Sequence, residues 1–263
     1  MKILKQHPDN TNPFGISLAF TDCMTESSVD HRALEENGQS KALLRYMEDA
    51  LRDHHISPET LQRHMDLIKS LRIKNLPLPH SPYPQNLKTQ KGNFAEVLLA
   101  EYLSATTDTQ LPIYRLRYNP NPDQSMKGDD VLLFDIDSDP VRIIVGEAKF
   151  RGVPSKAAVQ EIIDGLVRSN KAGLPVSLMF VAERLFQENK PDWGEKVQNC
   201  AVLFAQGKLH IDYVGFLMSN HNAKNHINKH TANGLHNLLM ISLGMHDPET
   251  IVKKAFEDLE KNI

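Results

Sequence analysis

The chain lacks the usual signs of a secreted, membrane-bound or globally basic protein. Only two of its 263 residues are cysteines, Cys23 and Cys200. Far apart, they form neither a disulfide framework nor a metal cluster, so a reducing cytoplasm is the expected setting. No apolar run approaches the roughly 18 residues that a membrane-spanning helix needs, so no membrane association is expected. The N-terminal MKILKQHPDN has too short an apolar run for a secretory signal. Lysine and arginine number 30 against 33 aspartates and glutamates, for a net charge of −3. Any positive potential that meets nucleic acid must therefore be local or supplied by a partner. No internal repeat is present. What remains, 40% hydrophobic and 24% charged, is an ordinary globular composition with room for one large domain or two small ones.

The most informative stretch is Lys127 to Lys149, KGDDVLLFDIDSDPVRIIVGEAK. Two β-branched apolar runs, Val131 to Ile136 and Val141 to Val145, flank the polar turn Asp137-Ser138-Asp139-Pro140. That pattern predicts two buried, neighbouring strands. The first opens with Asp129 and Asp130; the second closes with Glu147-Ala148-Lys149. Side chains two apart share a strand face, so Glu147 and Lys149 project together. Charges at one end of a greasy sheet are costly unless they pair or hold a cation, and oxygen ligands suit a hard divalent metal.

Along the rest of the chain, residues 1 to 90 read as an N-terminal extension ending in a linker, and 91 to 263 as the main domain. The extension has a predicted strand at Gly15 to Phe20 and helices at Lys41 to His54 and Pro58 to Leu71, the second capped by Ser57. It carries no chemical motif. Residues 75 to 90, NLPLPHSPYPQNLKTQ, hold four prolines and no apolar period, which marks the domain boundary. A helix apolar nearly all round follows at Asn93 to Ser104, bearing Glu96. Asn93 and Glu96 have capping-box spacing, so Glu96 either satisfies a backbone N–H or reaches the charged strand ends.

Pro112 to Tyr118 is predicted as a strand with Arg115 and Arg117 on one side. A helix from Ser155 to Ser169 presents Lys156, Gln160 and Arg168, and Pro175 to Ala182 reads as another buried strand. A helix at Trp193 to Gln206, a strand at Leu209 to Met218 and a helix at Pro248 to Lys261 complete the prediction. Residues 219 to 230 read as an exposed loop. There His226 and His230 have metal-ligand spacing without accompanying ligands, so a solvated segment is expected rather than a zinc site. The pattern as a whole is an α/β domain, a mixed sheet between helices.

Glu96 on a helix, Asp130 entering a strand and Glu147-x-Lys149 leaving the next resemble, in order and placement, the PD-(D/E)xK nuclease superfamily, whose core would cover about 91 to 182. More narrowly, GNFAEVLLAEYL, KGDDVLLF and GEAKFR resemble the HamA family, the nuclease component of the Hachiman anti-phage defence system. The resemblance implies a restriction-endonuclease-like core with a mainly helical N-terminal extension. Asp130, Glu147, the backbone carbonyl of Ala148 and Glu96 would hold Mg²⁺, with Mn²⁺ as a substitute, and Lys149 would orient the attacking water. Lys156, Gln160 and Arg151 are the candidate substrate contacts. DNA is the implied substrate, and the helicase-like ATPase HamB the implied partner, with the extension and Pro-rich strap as docking candidates. Gly128-Asp129 stands where the superfamily often has proline, which leaves open whether Asp129 or Asp130 is the ligand; Gly-x-Asp leading into an apolar strand favours Asp130. The rival readings are a free-standing restriction or repair endonuclease and a non-catalytic DNA-binding adaptor.

Overall fold

The computed structural model describes residues 3–71, 81–232 and 234–261. In chain order, a short helix α1 (Pro13–Ser17) and strands β1 (Leu18–Met24) and β2 (Asp30–Glu36) precede helices α2 (Lys41–His55) and α3 (Pro58–Leu71). Then follow α4 (Leu87–Thr106), β3 (Val131–Asp135), β4 (Val141–Phe150), α5 (Lys156–Ala172), α6 (Leu178–Gln187) and α7 (Pro191–Ala205). Strand β5 (Leu209–Ser219), the short helix α8 (Lys224–His230), β6 (Leu238–Gly244) and α9 (Pro248–Lys261) close the chain.

Among the described residues the six strands form one mixed sheet in the order β1-β2-β6-β5-β4-β3. Strands β3 and β4 are antiparallel, with Val131 opposite Gly146; β4, β5, β6 and β2 run parallel, and β1 returns antiparallel on β2. Strand alternation sorts β4 into two layers. Ile144, Ala148 and Phe150 join the cluster that holds α4, α2 and α9, whereas Ile143 and Val145 join the one that holds α5, α6 and α7. Helix α4 can be apolar all round because it is covered all round: Val97, Leu98, Leu99 and Leu103 are fully buried.

The hairpin, α2, α3 and α9 stand where the sequence pattern predicts them, and Ser57 Oγ accepts the Thr60 N–H at 3.2 Å as its cap. Ser155 likewise caps α5, accepting the Ala158 N–H at 3.2 Å. Other elements differ. Gly15 to Ser17 is helical, not strand, because Asn12 caps Phe14 N and Pro13 starts the turn; the strand begins at Leu18. Helix α4 starts at Leu87 rather than Asn93, capped by Asn86 Oδ1 on Lys88 N at 2.9 Å. The end of the Pro-rich segment is therefore helix, while its residues 75–80 lie outside the described residues. Asn93 is then mid-helix, and its side chain bonds His55 instead of closing a capping box.

Pro112 to Tyr118 is not a strand. Residues Arg115–Tyr118 form a 3₁₀ turn, and only Gln110 bridges to Phe134. The two arginines turn away to backbone carbonyls, Arg117 Nε donating to Asp53 O at 2.6 Å. The apolar run Pro175 to Ala182 leads into helix α6 rather than a strand. A short apolar run has no period that separates the two. Strands β2 and β6 are additions, and the segment 219 to 230 contains α8.

Candidate active site

Strands β3 and β4 deliver their charged ends to one place because they are antiparallel neighbours: the start of β3 lies beside the end of β4. Asp130 Oδ2 accepts the Ala148 N–H at 3.0 Å, which continues the ladder with a side chain where the backbone pairing stops. On the other strand Lys149 Nζ lies 2.5 Å from Glu147 Oε1 and 4.0 Å from Asp130 Oδ2. One ammonium therefore sits between two carboxylates. Burial works against the Lys149 charge, but Asp130 and Glu147 outweigh it and hold its pKa above the ordinary lysine value. Glu147 is raised above the usual carboxylate range by burial and then by the Asp130 charge, with Lys149 opposing.

Glu96 reaches the same place from α4. Its side chain is only 12% exposed, and its counter-charge is Arg115, with Nε 3.3 Å from Oε1. Burial pushes Glu96 up to about 8; Arg115 opposes this, while Asp130 and Glu147 add to it. Arg115 does more than face Glu96, donating from its two terminal nitrogens to the carbonyls of Asp129 and, at 3.1 Å, Met126. It thus ties the segment before Asp130 to helix α4.

The two adjacent aspartates differ in surroundings. Asp129 is buried and engaged within the protein, accepting from Ser169 Oγ at 2.7 Å and Ser177 N at 2.9 Å. Its own N–H donates to Ser177 Oγ at 3.0 Å. Asp130, together with Glu96, Ala148 and Lys149, lines an open groove of about 610 Å³. Gly128 precedes the pair with φ +118°, and a Cβ there would lie 2.5 Å from Ser177 Oγ, so only glycine allows this entry.

Arg151 lines the same groove and is ion-paired with Glu161. Lys156 and Gln160 stand on the exposed side of α5, outside the groove lining, and Gln160 Nε2 donates to Asp164 at 2.9 Å. Several contributors carry no signal in a strand-and-motif reading: Arg115, Ser169, Ser177, and Lys88 and Lys91 on the groove wall. Gly165 does carry one, since glycine inside a helix is destabilising unless something needs the space. Here Glu147 uses it.

The carboxylates of Asp130, Glu147 and Glu96 are a hard oxygen donor set; burial raises Glu96 and Glu147 and the neighbouring like charge adds to it, and a cation would relieve that added repulsion. Among the described residues no three side chains of ligand type close on one point as a metal cage. Mg²⁺ retains several waters and needs no such cage, so the donor chemistry fits it. His226 and His230 are no alternative, with ring centroids 6.0 Å apart on a helix of seven residues.

A mixed sheet covered by helices on both faces, with an Asp at the start of one strand beside a Glu and a Lys at the end of its neighbour, defines a restriction-endonuclease-like α/β protein. The HamA family model matches residues 17–259, and the chain belongs to the HamA family. It is similar to the Hachiman protein HamA of Bacillus cereus, with 40% identity over 181 residues, which are 69% of this chain. The match spans 65% of that relative's own length. Among the described residues no helix is long and apolar enough to cross a membrane.

Proposed function

We propose that this chain is the metal-dependent DNA nuclease of a two-component anti-phage defence complex, hydrolysing phosphodiester bonds under the control of the helicase-like ATPase HamB. The observation that carries the reading is the convergence of Asp130, Glu147 and Lys149, of which Asp130 and Lys149 line one open groove together with Glu96. A structural ion pair alone does not account for it, because Lys149 faces both Asp130 and Glu147 while Glu96 sits beside them on Arg115, even with Arg168 adding positive potential at Glu147.

Asp130 and Glu147, with the Ala148 carbonyl and Glu96, would hold Mg²⁺ or Mn²⁺. The cation supplies Lewis acidity to a phosphodiester and acidifies a water. The chain's own residues do the rest. The Ala148 N–H orients the Asp130 carboxylate. Lys149, kept protonated by its two carboxylates, donates toward the incoming water and the charge that develops on phosphorus-bound oxygen. Arg115 holds Glu96 and the 126–129 segment in place, so the carboxylates need not reorganise as substrate enters.

The test is cleavage of plasmid and linear DNA with Mg²⁺ by the wild type, Glu147→Ala and Lys149→Ala, each with and without HamB and ATP. Loss of cleavage in both variants is expected, with a rate that depends on the partner. Equal cleavage by variants and wild type would remove the site assignment. Partner-independent cleavage would point to a free-standing endonuclease.

A further inference from the structure

Helix α4 enters the groove with its cationic end first. Lys88, Lys91 and Gly92 line the groove along the first turns, and Glu96 lies further along the same helix beside Asp130. At about 1.5 Å per residue, Lys91 stands roughly 7.5 Å and Lys88 roughly 12 Å along the axis from Glu96. Steps of four residues keep Lys88, Gly92 and Glu96 on one side of the helix, and Lys91 is three residues from Lys88 on the flank of that side.

Lys88 is exposed, and its ammonium has no partner among the described residues. Lys91 lies across the Phe150 ring, Nζ 5.4 Å from the centroid, and its Nζ is 2.6 Å from Glu249 Oε2 on α9. Between them and Glu96, Gly92 leaves the helix surface bare, since a Cβ there would meet nothing within 4 Å. Arg151 faces the same space and pairs with Glu161. The groove thus has carboxylates on its floor and lysines on its wall, in a chain whose net charge is −3. A polyanion approaching that floor meets repulsion unless the wall compensates it.

We propose that Lys88 and Lys91 form a phosphate-binding subsite for the DNA backbone beside the reacting phosphate, and that Glu249 holds Lys91 until DNA displaces it. The identity of the ligand rests on the nuclease reading; the binding itself does not require cleavage.

The experiment measures binding of a fluorescently labelled DNA duplex to the full chain by anisotropy in EDTA, from low to moderate salt. Lys88→Gln/Lys91→Gln is expected to weaken binding at least tenfold at low salt and to lower the slope of log K against log salt by about two, near one for each phosphate that a lysine neutralises. Glu249→Gln is expected to tighten binding several-fold, and that gain should vanish when Lys91→Gln is also present. Equal affinity and slope for the double variant and wild type overturns the subsite, as does a Glu249→Gln gain that survives without Lys91, or no binding by the wild type at low salt. Cleavage is scored separately with Glu147→Ala. If that variant loses cleavage while the lysine variant binds normally, the subsite falls and the nuclease stands. Lysine-dependent binding without Mg²⁺-dependent cleavage, when HamB and ATP are supplied as well as when they are omitted, leaves the subsite and removes the nuclease.

Discussion

Gly165 on α5 lies directly over Glu147: a Cβ on this glycine would come within 2.7 Å of the Glu147 Cδ and 2.9 Å of both carboxylate oxygens. Alanine in a helix interior normally stabilises by roughly 0.5–1 kcal/mol over glycine. Here the added methyl must displace the carboxylate or the helix. Gly165→Ala is expected to reduce cleavage at least tenfold while moving the melting temperature little, as read by initial rates alongside thermal unfolding. Wild-type rates in the alanine variant would show that Glu147 need not occupy this position.

Asp129 and Asp130 should separate cleanly on substitution. Asp129→Ala leaves Ser169 Oγ and the Ser177 N–H without their buried acceptor, at a cost of about 1–3 kcal/mol for each. Asp130→Asn keeps the shape of a groove-facing side chain and should fold as the wild type does while losing cleavage. Urea denaturation beside a cleavage assay distinguishes the two, and the opposite assignment would follow if Asp129→Ala were as stable as the wild type but inactive.

Arg115 faces the nearly buried Glu96 and donates to two backbone carbonyls, so removing it is expected to cost about 1–3 kcal/mol of stability for each buried group left unpaired. Arg115→Met also strips donors from the carbonyls of Met126 and Asp129. Adding Glu96→Gln should restore part of the loss above about pH 8, where the Glu96 carboxyl ionises and Arg115 is its counter-charge. Denaturant unfolding of both single variants and the double supplies the coupling; strict additivity would show that the pair contributes nothing of its own.

His55 makes stability depend on pH in a stated direction. Its Nε2 accepts from Asn93 Nδ2 at 2.9 Å and its Nδ1 donates to Leu51 O at 2.8 Å, so the neutral ring is fully used. Burial lowers its pKa from 6.5 to about 4, assisted by the neighbouring His54. Between those values the unfolded chain takes up a proton that the folded chain refuses, so stability present above pH 6.5 is lost as pH falls toward 4. The effect is up to about 3 kcal/mol for one such group. Unfolding free energies at pH 7 and pH 5 should differ less in His55→Gln than in the wild type; an unchanged difference would assign the pH dependence to other groups.

The elements that carry the candidate site were legible because their signals are local. A strand-turn-strand of β-branched runs, a Glu-x-Lys on one strand face and a capped amphipathic helix such as α5 need no distant partner to be recognised. Pro175 to Ala182 failed for the same reason in reverse. Eight mostly apolar residues fit a buried strand or a buried helix equally, and packing against α7 decided for helix. Strand β6 was likewise set by pairing with the distant β2 and β5, whereas the start of α4 at Leu87 rests on a local cap, Asn86.

The sequence by itself determined that Asp130, Glu147 and Lys149 would meet, because antiparallel neighbours joined by a short turn bring the start of one strand beside the end of the next. Only the tertiary structure decided which aspartate faces the groove, since Ser169 and Ser177 come from beyond the hairpin to engage Asp129. It alone brought Arg115 to Glu96, Gly165 to Glu147 and Glu249 to Lys91. The physical reason is one of range: backbone hydrogen bonding and side-chain alternation act between near neighbours, whereas the compensation of a buried charge is met by whichever group the fold brings within a few ångströms.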